Sequence, residues 1–384
     1  MKRILLLSGS LKLSGVVTWL LQIQAGFLAA GTDVAFLVTS KKTDIHPDAG
    51  RVFYTGRART ASCMRIARWL QLHRVFPRWY ERKEDDEMNR RIEKILTSLA
   101  WQDRIDLIVK VWGDKIPSCL RKWPIVETIH SLLSQDTDTF KKLEKITTQK
   151  TDNPAHFIVP VGNVVAEDAR NLGLSVAEVI HNPLNIEELE RKSTLFTPQI
   201  DRPYIVFVGR LVNGKGVHEL LQAFAALKAD VDLVYVGDGS ATNTLRETAR
   251  ALGVQDKVHF KGFLDNPYPW IRNARLLVLP STTVPEAMGY AAVEACALGC
   301  GIVVSDFLAA REFFAEELIV PRLPVEGYVE RLTQKISSGL AGELPLGIKP
   351  GVLEKIDTGR VVEKYLALID KQGPLVQDFS SSEK

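Results

Sequence analysis

Short apolar runs that alternate with longer amphipathic stretches are the feature that most constrains the fold of this chain. In the first half these runs lie at residues 4–7, 34–38, 107–111, 125–129, 157–161 and 177–180. In the second half they lie at residues 204–209, 233–237, 258–262, 276–280 and 301–305. The runs of the first half lack the apolar–polar alternation of a half-exposed strand, which indicates strands buried on both faces. The pattern predicts βα units, with parallel sheets covered by helices.

The length of 384 residues, with 46% apolar and 25% charged residues, is typical of a globular protein with two domains. Residues 186–203 are polar, contain Pro198 and Pro203 and show no strand pattern, so we expect a linker there. The sequence thus predicts an N-terminal domain at 1–185 and a C-terminal domain at 204–360. We expect residues 361–384 to form a last helix, able to pack back on the N-terminal domain, and a polar tail.

Several classes of protein are disfavoured by composition. The net charge of +3 is too small to indicate nucleic-acid binding. The four cysteines form no C-x-x-C motif and have no histidine at ligand spacing, which argues against a metal or redox site. The apolar start is too short for a signal peptide, and no run approaches the length of a membrane span. We therefore expect reduced cytoplasmic thiols and a protein that is soluble or peripheral to a membrane.

The first segment with chemical character is GRLVNGKG at residues 209–216, between an apolar run and a helical pattern. Glycines such as Gly209 let the backbone approach a ligand, and a helix N-terminus favours an anion. Arg210 and Lys215 add two positive charges. The segment fits a phosphate site, although cations are also common in ordinary βα loops.

The second segment is PEAMGYAAVEACALG at residues 285–299. Glu294 lies among small apolar helical residues, where burying an unpaired carboxylate is costly, so it should face polar partners such as sugar or ribose hydroxyls. Glu286 fits either a ligand role or an acid that favours the helix dipole. Three residues at the helix start offer backbone N–H groups to a phosphate or sugar oxygen: Met288, Gly289 and Tyr290.

In order and spacing these motifs resemble the retaining glycosyltransferases of family 4, within the glycosyl transferases group 1. That family has G-R-x4-K-G, a V-G-D-G-type turn, G-[FY], S-x-x-E and E-x7-E. The corresponding segments here are GRLVNGKG at 209–216, VGDGS at 236–240, KGF at 261–263, STTVPE at 281–286 and EACALG at 294–299. About 100 residues agree, whereas the N-terminal half resembles the family more loosely.

The resemblance implies an α/β protein of the GT-B fold, in which two Rossmann-like domains with parallel sheets face a central cleft. It implies a nucleotide-sugar donor on the C-terminal domain and an acceptor on the N-terminal one. Arg210 and Lys215 would then hold the diphosphate leaving group, and Glu286 the hydroxyls of the donor sugar. Glu294 would hold the ribose, and the backbone near Phe263 would contact the base.

The N-terminal half supplies two further candidates through the same resemblance. Gly15 stands where the family has the second glycine of a pair, at a helix N-terminus that would face the diphosphate. His130 in ETIHSLL matches the family's strand-end histidine near the donor sugar, although a satisfied core histidine is the alternative. The usual E-G-F-G is EAMG here, so that Ala287 and Met288 replace a glycine and an aromatic residue. We expect this change to reshape the donor-sugar pocket.

Residues 51–80 contain seven arginines, six aromatic residues and no acid. Such an amphipathic segment fits an anionic membrane surface or the phosphates of a lipid-linked acceptor. The residues proposed for this surface are Arg65, Arg68, Trp69, Arg74 and Arg78. The alternative is a solvated helical face that the acidic run at 84–87 neutralises. RNA binding is disfavoured, because no nucleic-acid module surrounds the segment.

The sequence therefore predicts a retaining glycosyltransferase that moves a sugar from a nucleotide diphosphate sugar to a saccharide or lipid-linked acceptor. The expected setting is envelope polysaccharide or lipopolysaccharide synthesis, on the inner face of the plasma membrane. We expect metal-independent chemistry, with the DTD at residues 136–138 a solvated turn. Its catalytic candidates are His130, Arg210, Lys215 and Glu286. The alternatives are a GT-B sugar-nucleotide epimerase and a catalytically silent glycan-binding subunit.

Overall fold

The computed structural model describes residues 1–8, 15–39, 51–55, 78–111, 116–134, 155–284, 286–345 and 347–371, with side chains in 78–98 from residue 86 onward. The first elements are β1 (Arg3–Ser8), α1 (Gly15–Ala29), β2 (Asp33–Val38), β3 (Arg51–Tyr54), α2 (Arg78–Ser98), β4 (Leu107–Val111), β5 (Ile125–Ile129), β6 (His156–Pro160) and α3 (Asn163–Asn171). Next come α4 (Ile186–Ser193), β7 (Tyr204–Val208), α5 (Val217–Ala226), β8 (Asp232–Val236), α6 (Thr242–Ala251), β9 (Val258–Phe260), α7 (Tyr268–Arg272) and β10 (Leu276–Leu279). The last are α8 (Tyr290–Ala297), β11 (Gly301–Ser305), α9 (Ala310–Phe313), β12 (Ile319–Val320), α10 (Tyr328–Leu340), α11 (Val352–Ile356) and α12 (Thr358–Ile369).

The chain divides into two compact units. The first consists of Met1–Pro183 together with Thr358–Lys384, and the second of Leu184–Asp357. Their six-stranded sheets have the orders β3-β2-β1-β4-β5-β6 and β12-β11-β10-β7-β8-β9, and every pair of strands is parallel. Both orders are the doubly wound Rossmann order. The predicted α/β class, with two Rossmann-like domains, is confirmed.

Burial explains why these strands form where the sequence predicts them. Strands β4, β5 and β11 match the predicted runs residue for residue. All five residues of β5 and of β8 are buried, as a sheet covered on both faces requires. Two of the four edge strands, β3 and β12, are short and were not predicted by the apolar pattern.

The predicted strand at residues 177–180 is wrong. Val176 forms a single bridge with Ile158, and Ala177 and Ile180 donate backbone bonds to the β6 carbonyls of Ile158 and Pro160. These few bonds do not extend into a ladder. Ile180 is buried in the core, which accounts for the apolar pattern of the segment without a strand.

The segment expected to be a linker begins instead with helix α4, which belongs to the second unit. The Asn185 side chain accepts the backbone N–H of Glu188 at 2.9 Å and so caps the helix. Acids occupy the first turn of α4 and bases the last, an order that favours the helix dipole. The cap and the order of charges therefore stabilise α4, although its sequence has no long apolar run.

The C-terminal helix α12 belongs to the first unit, and the boundary lies at Thr358 rather than at residue 361. It packs on α1, where a Cβ on Gly26 would lie 2.7 Å from Val362, so glycine permits the close approach of the two helices. The Phe27 and Tyr365 rings meet edge to face at 6.2 Å. None of the described helices is long and apolar enough to cross a bilayer.

A buried ion pair lies within the first sheet. Lys110 on β4 and Glu127 on β5 are register partners with side chains 1% and 0% exposed, and the ammonium donates to the carboxylate. His156 Nε2 lies 3.0 Å from the other carboxylate oxygen. Burial alone would raise the pKa of Glu127, but the Lys110 charge and the His156 hydrogen bond outweigh it and hold that pKa below its usual value. The lowered pKa therefore favours the carboxylate form of Glu127 in the folded unit.

Removing one partner of this pair should destabilise the first unit strongly. Glu127→Gln leaves a buried ammonium without its counter-ion, and we expect a loss of roughly 3–5 kcal/mol in the free energy of unfolding measured in urea. The double variant Lys110→Met/Glu127→Leu should recover most of this loss, because no charge remains buried. Since the Glu127 pKa is lowered on folding, its contribution should persist above the unfolded value of 4.5 and fade at lower pH.

The control is Glu316→Gln, which breaks an exposed pair with Arg311 and should cost under about 1 kcal/mol. An equal small cost for Glu127→Gln and Glu316→Gln would contradict the burial argument.

Candidate active site

The second sheet has its topological switch point between β7 and β10, and ligands of such sheets bind beyond the carboxyl ends of the strands. The loop after β7 is locked to the loop after β10 there. Gly216 has a φ of 70°, and a Cβ on it would overlap the carbonyl oxygen of Pro280. The carbonyl of Gly214 accepts backbone N–H groups of Thr282 at 3.0 Å and Val284 at 3.1 Å. The two predicted motifs therefore form one rigid edge.

The VGDGS turn after β8 joins this edge. Gly237 has a φ of 140°, and a Cβ on it would overlap the carbonyl oxygen of Gly209. Leu211 donates its backbone N–H to the Asp238 carbonyl at 2.9 Å. Three loops from the carboxyl ends of β7, β8 and β10 thus share backbone contacts.

An ion pair between Lys215 and Glu286 lies at the centre of this edge. The Lys215 ammonium donates to Glu286 Oε1, and each side chain is 14% exposed. The buried Ser281 donates its hydroxyl to the same oxygen at 2.9 Å. The structure therefore brings together two residues that the motifs assign to the diphosphate and to the donor sugar.

Arg210 offers a second cation at the same edge. Its side chain is exposed and forms no hydrogen bond or ion pair with any residue in the described ranges. An exposed guanidinium that is unpaired among the described residues, in the loop after β7, is available to an anionic ligand.

Glu294 on α8 is the second acid of the site and is only 6% exposed. The Tyr268 hydroxyl on α7 donates to Glu294 Oε1 at 3.3 Å. Burial raises the pKa of Glu294 to about 7, and the Tyr268 hydrogen bond opposes that rise. Among the described residues no lysine, arginine or histidine forms an ion pair with it. A buried acid with a raised pKa and no cation is typical of a ligand-binding position.

The remaining residues of the second unit that were predicted to contact the donor differ in their exposure. Phe263 is 55% exposed, so its neighbourhood is open to a ligand. Met288 and Gly289 are buried before the start of α8 at Tyr290. Met288 is 1% exposed and lies in the hydrophobic core. The Met288 side chain therefore faces the core, and the expected effect of Ala287 and Met288 on the donor-sugar pocket stays a prediction.

In the first unit, His130 follows β5 at the carboxyl edge of the sheet, and Gly15 begins α1. His130 Nε2 lies 3.2 Å from Thr128 Oγ1, and the Trp19 ring meets the imidazole edge to face at 4.6 Å. Burial lowers the pKa of His130 to about 3, so the ring is uncharged at neutral pH.

The proposed acceptor or membrane residues Arg65, Arg68, Trp69 and Arg74 lie outside the described residues, as does the 136–138 segment. Arg78 begins α2, but its side chain is outside the described part. The start of the arginine-rich segment is described and forms the edge strand β3, where Arg51 lies 3.4 Å from Asp33. Residues 51–54 therefore belong to the sheet. Within the described ranges no cluster of three His, Cys, Asp or Glu could hold a metal.

The sequence analysis missed three residues that contact the candidates: Tyr268 and Ser281 in the second unit and Thr128 in the first. Ser281 was within reach, because it is the first residue of the quoted STTVPE segment, which ends at Glu286. Thr128 on β5 precedes His130 by two residues, a spacing that places both side chains on one face of an extended chain. Tyr268 lies 26 residues from Glu294, and no local pattern connects them.

The chain is similar in sequence to known proteins. Residues 188–343 match the family model described as glycosyl transferases group 1. A Campylobacter jejuni N-acetylgalactosaminyltransferase that acts on N-acetylgalactosamine-N,N'-diacetylbacillosaminyl-diphospho-undecaprenol is 30% identical over 167 residues, which cover 42% of this chain and 45% of that protein. The matches span 45%, 55% and 32% of the lengths of the first three curated relatives.

Solved structures show the same fold along nearly the whole chain. The apo form of the lipopolysaccharide outer core galactosyltransferase WaaB has a TM-score of 0.64 at 16% identity, covering 96% of this chain and 99% of that one. Anabaena HepE in complex with UDP has a TM-score of 0.65 at 17% identity, covering 96% and 100%. The chain therefore has the GT-B fold of these proteins.

Glu294 should make the stability of the second unit depend on pH. The folded protein retains a proton on Glu294 that the unfolded chain releases above a pKa of 4.5, so stability falls as the pH rises from about 4.5 to 7. Glu294→Gln mimics the protonated acid and removes this fall. We expect the variant to exceed the wild type by up to about 3 kcal/mol at pH 8 and to equal it below pH 4.5, as measured by urea unfolding.

The matched control is Glu247→Gln, on the exposed face of α6, which should follow the wild-type curve at every pH. If the Glu294→Gln and wild-type curves stay parallel from pH 4 to 8, Glu294 titrates normally and the account of its burial is incorrect.

Proposed function

We propose that this chain is a glycosyltransferase that transfers a sugar, with retention of configuration, from a nucleotide diphosphate sugar to a saccharide or lipid-linked acceptor. The observation that carries the proposal is the shielded Lys215–Glu286 pair, held at the switch point by backbone bonds between two loops. The family-model match at residues 188–343 spans this pair and Glu294. Such a site combines cations for a diphosphate with acids for hydroxyl groups.

Donor binding follows from the charges of the site. Diphosphate oxygens accept hydrogen bonds from the Arg210 guanidinium, and they compete with Glu286 for the Lys215 ammonium. Glu286, released from Lys215, then accepts hydrogen bonds from hydroxyls of the donor sugar. Glu294 accepts hydrogen bonds from the ribose hydroxyls, and the base binds at the exposed surface near Phe263. The UDP complex of HepE, which shares this fold, supports a nucleoside diphosphate as the ligand.

The transfer step separates charge along the bond between the sugar and the phosphate. As the bond breaks, negative charge grows on the departing diphosphate, and the sugar becomes oxocarbenium-like. Lys215 and Arg210 stabilise the leaving group more strongly as its charge increases, which lowers the barrier. The acceptor hydroxyl attacks from the face the diphosphate leaves and gives its proton to a departing phosphate oxygen, so the configuration is retained. We propose that no metal is needed, because the two cations supply the positive charge.

The names of two similar proteins support the proposed class of acceptor. The Campylobacter enzyme is named for a diphospho-undecaprenol acceptor, and WaaB is named for the lipopolysaccharide core. We propose an envelope-glycan acceptor held by the first unit. We propose further that the arginine-rich segment brings the enzyme to the anionic inner face of the plasma membrane.

Lys215→Ala should impair transfer without impairing folding. With a panel of nucleotide sugars, we expect one donor to be turned over, and EDTA to leave its rate unchanged. Loss of the Lys215 charge should reduce kcat/KM by roughly 30-fold or more, about 2 kcal/mol of transition-state stabilisation. Lys228→Ala, an exposed lysine after α5, is the control and should retain full turnover.

Equal turnover by Lys215→Ala and the wild type would refute the diphosphate assignment. Conversion of the donor to an epimer, without transfer, would favour an epimerase instead. Absence of any turnover or nucleotide binding would favour a silent glycan-binding subunit. The anomeric configuration of the product, read by NMR, tests retention separately.

The membrane proposal has its own test in sedimentation with anionic vesicles. Replacing Arg65, Arg68, Arg74 and Arg78 with Gln should release the protein from vesicles and leave donor hydrolysis intact, since these residues lie outside the donor site. A matched control removes four exposed cations elsewhere: Arg191, Lys228, Arg250 and Arg311. Undiminished sedimentation of the first variant, or equal release of both variants, would contradict the surface assignment.

A further inference from the structure

Helix α7 has only five residues, and bonds from outside the helix fix it in place. The Tyr204 hydroxyl on β7 donates to the Trp270 carbonyl at 2.9 Å. The Asn266 side chain donates to the Lys192 carbonyl of α4 at 2.9 Å, and its Oδ1 accepts the backbone N–H of Tyr268 at 3.3 Å. An isolated helix of this length is not stable, so β7 and α4 set the place of Tyr268.

The Tyr268 hydroxyl is directed at the Glu294 carboxylate on α8, and it lies 3.3 Å from Oε1. An ionised carboxylate only accepts hydrogen bonds, so the phenol is the donor. The Glu294 charge and burial raise the pKa of Tyr268 above its usual value, and the charge of Glu188 on α4 acts in the same direction. The hydroxyl therefore keeps its hydrogen at neutral pH.

Tyr268 is the ionisable group that faces Glu294 from the described elements packed against α8. These elements are β10, β11 and α7. The two strands have no ionisable side chain, and the Arg272 guanidinium of α7 lies 3.3 Å from Ser193 Oγ instead.

The second oxygen of Glu294 is open to a ligand. Oε2 bonds to no described residue, and it is not one of the fully buried atoms that lack a partner. The 6% of the Glu294 surface that stays exposed is consistent with access to Oε2 from solvent. A ligand hydroxyl can therefore reach Oε2 while Tyr268 occupies Oε1.

We propose that Tyr268 is a positioning residue that holds Glu294 through Oε1 and directs Oε2 to accept a ribose hydroxyl of the donor nucleotide. The part concerning the ribose rests on the proposed function, whereas the part concerning the two side chains does not. Tyr268 acts on the ligand only through Glu294.

This role connects nucleotide binding to the protonation of Glu294. A protonated carboxyl group uses one oxygen as a donor, whereas the ionised group accepts hydrogen bonds with both. The bond from Tyr268 favours the ionised form against the effect of burial. Loss of the hydroxyl should therefore weaken nucleotide binding most near neutral pH.

The contact between the two side chains is tested without a ligand, by 13C NMR of the full chain labelled at the glutamate carboxyl carbons. The Glu294 signal is assigned by its loss in Glu294→Gln. Tyr268→Phe removes the hydroxyl and keeps the ring, and we expect it to raise the titration midpoint of Glu294 by about one pH unit. An equal midpoint in Tyr268→Phe and the wild type would overturn the proposal.

The matched control is Tyr235→Phe, which removes another buried tyrosine hydroxyl of the second unit. That hydroxyl donates to the Val217 carbonyl at 2.8 Å and does not bond to Glu294. The control should leave the Glu294 midpoint at its wild-type value.

The effect on binding is tested with the ribonucleoside diphosphate that gives the largest thermal shift among UDP, GDP and ADP. At pH 7 the wild-type Glu294 is about half ionised, and a rise of about one pH unit leaves roughly a tenth ionised. Tyr268→Phe should therefore raise Kd about 5-fold at pH 7 and less at pH 9, where Glu294 is mostly ionised in both proteins.

Inorganic pyrophosphate is the control ligand, because it has no ribose. Its Kd should be equal for Tyr268→Phe and the wild type at both pH values. Equal weakening of the nucleoside diphosphate and of pyrophosphate would show a general disturbance of the site and overturn the positioning role.

The two assays keep the failures apart. If no nucleotide binds, the proposed function is refuted and the ribose assignment falls with it, whereas the NMR midpoint still decides whether Tyr268 acts on Glu294. If a nucleotide binds and Tyr268→Phe leaves its Kd unchanged at pH 7, the proposed function stands and the positioning role is overturned.

Discussion

Close backbone contact between loops at the carboxyl edge of the second sheet is the constraint on which the rest of the site depends. Gly216 lies against the carbonyl of Pro280, and Gly237 lies against the carbonyl of Gly209, at distances that admit no side chain. These contacts hold the ends of β7, β8 and β10 in one arrangement. A site on such an edge needs no reorganisation before a ligand arrives, which is the condition for strong electrostatic stabilisation.

The two acids of this edge are stabilised in different ways. Glu286 is balanced by Lys215 and by the Ser281 hydroxyl, so the unliganded site contains its own counter-ion. Among the described residues, the hydrogen-bond partner of the Glu294 carboxylate is the Tyr268 hydroxyl, and burial raises the pKa of Glu294 to about 7. Under the proposed function, the first acid would exchange its lysine for a ligand hydroxyl, and the second would gain hydrogen bonds from ligand hydroxyls.

Much of the fold follows from the sequence because the core strands are locally encoded. The runs 107–111 and 125–129 are mostly apolar and lack regular apolar–polar alternation, and each forms the strand that the pattern predicts. Helix α4 escaped the pattern because capping by Asn185 and its charge order stabilise it rather than an apolar face. The 177–180 run was predicted as a strand but does not form one. Its apolar pattern reflects the burial of Ile180 in the core, and the backbone forms only a single bridge nearby.

The sequence identified candidate residues of the site, but it did not predict the contacts between them. Lys215 and Glu286 stand out in their motifs, yet they are 71 positions apart, and their pairing depends on the order of strands in the sheet. The contact between Tyr268 and Glu294, 26 positions apart, likewise arises from three-dimensional packing. The spacing of the motifs identifies candidate ligand-binding residues. The fold determines which of these residues form ion pairs and which have shifted pKa values.

The most direct measurement of the central claim is a thermal-shift titration of the full chain with UDP, GDP, ADP, dTDP and CMP, each with and without EDTA. A ligand that binds only the folded state raises its melting temperature. The account predicts that one diphosphate raises Tm clearly above the others, that EDTA leaves the shift unchanged, and that Lys215→Ala abolishes most of it. The account is contradicted if no nucleotide shifts Tm, or if Lys215→Ala responds as the wild type does.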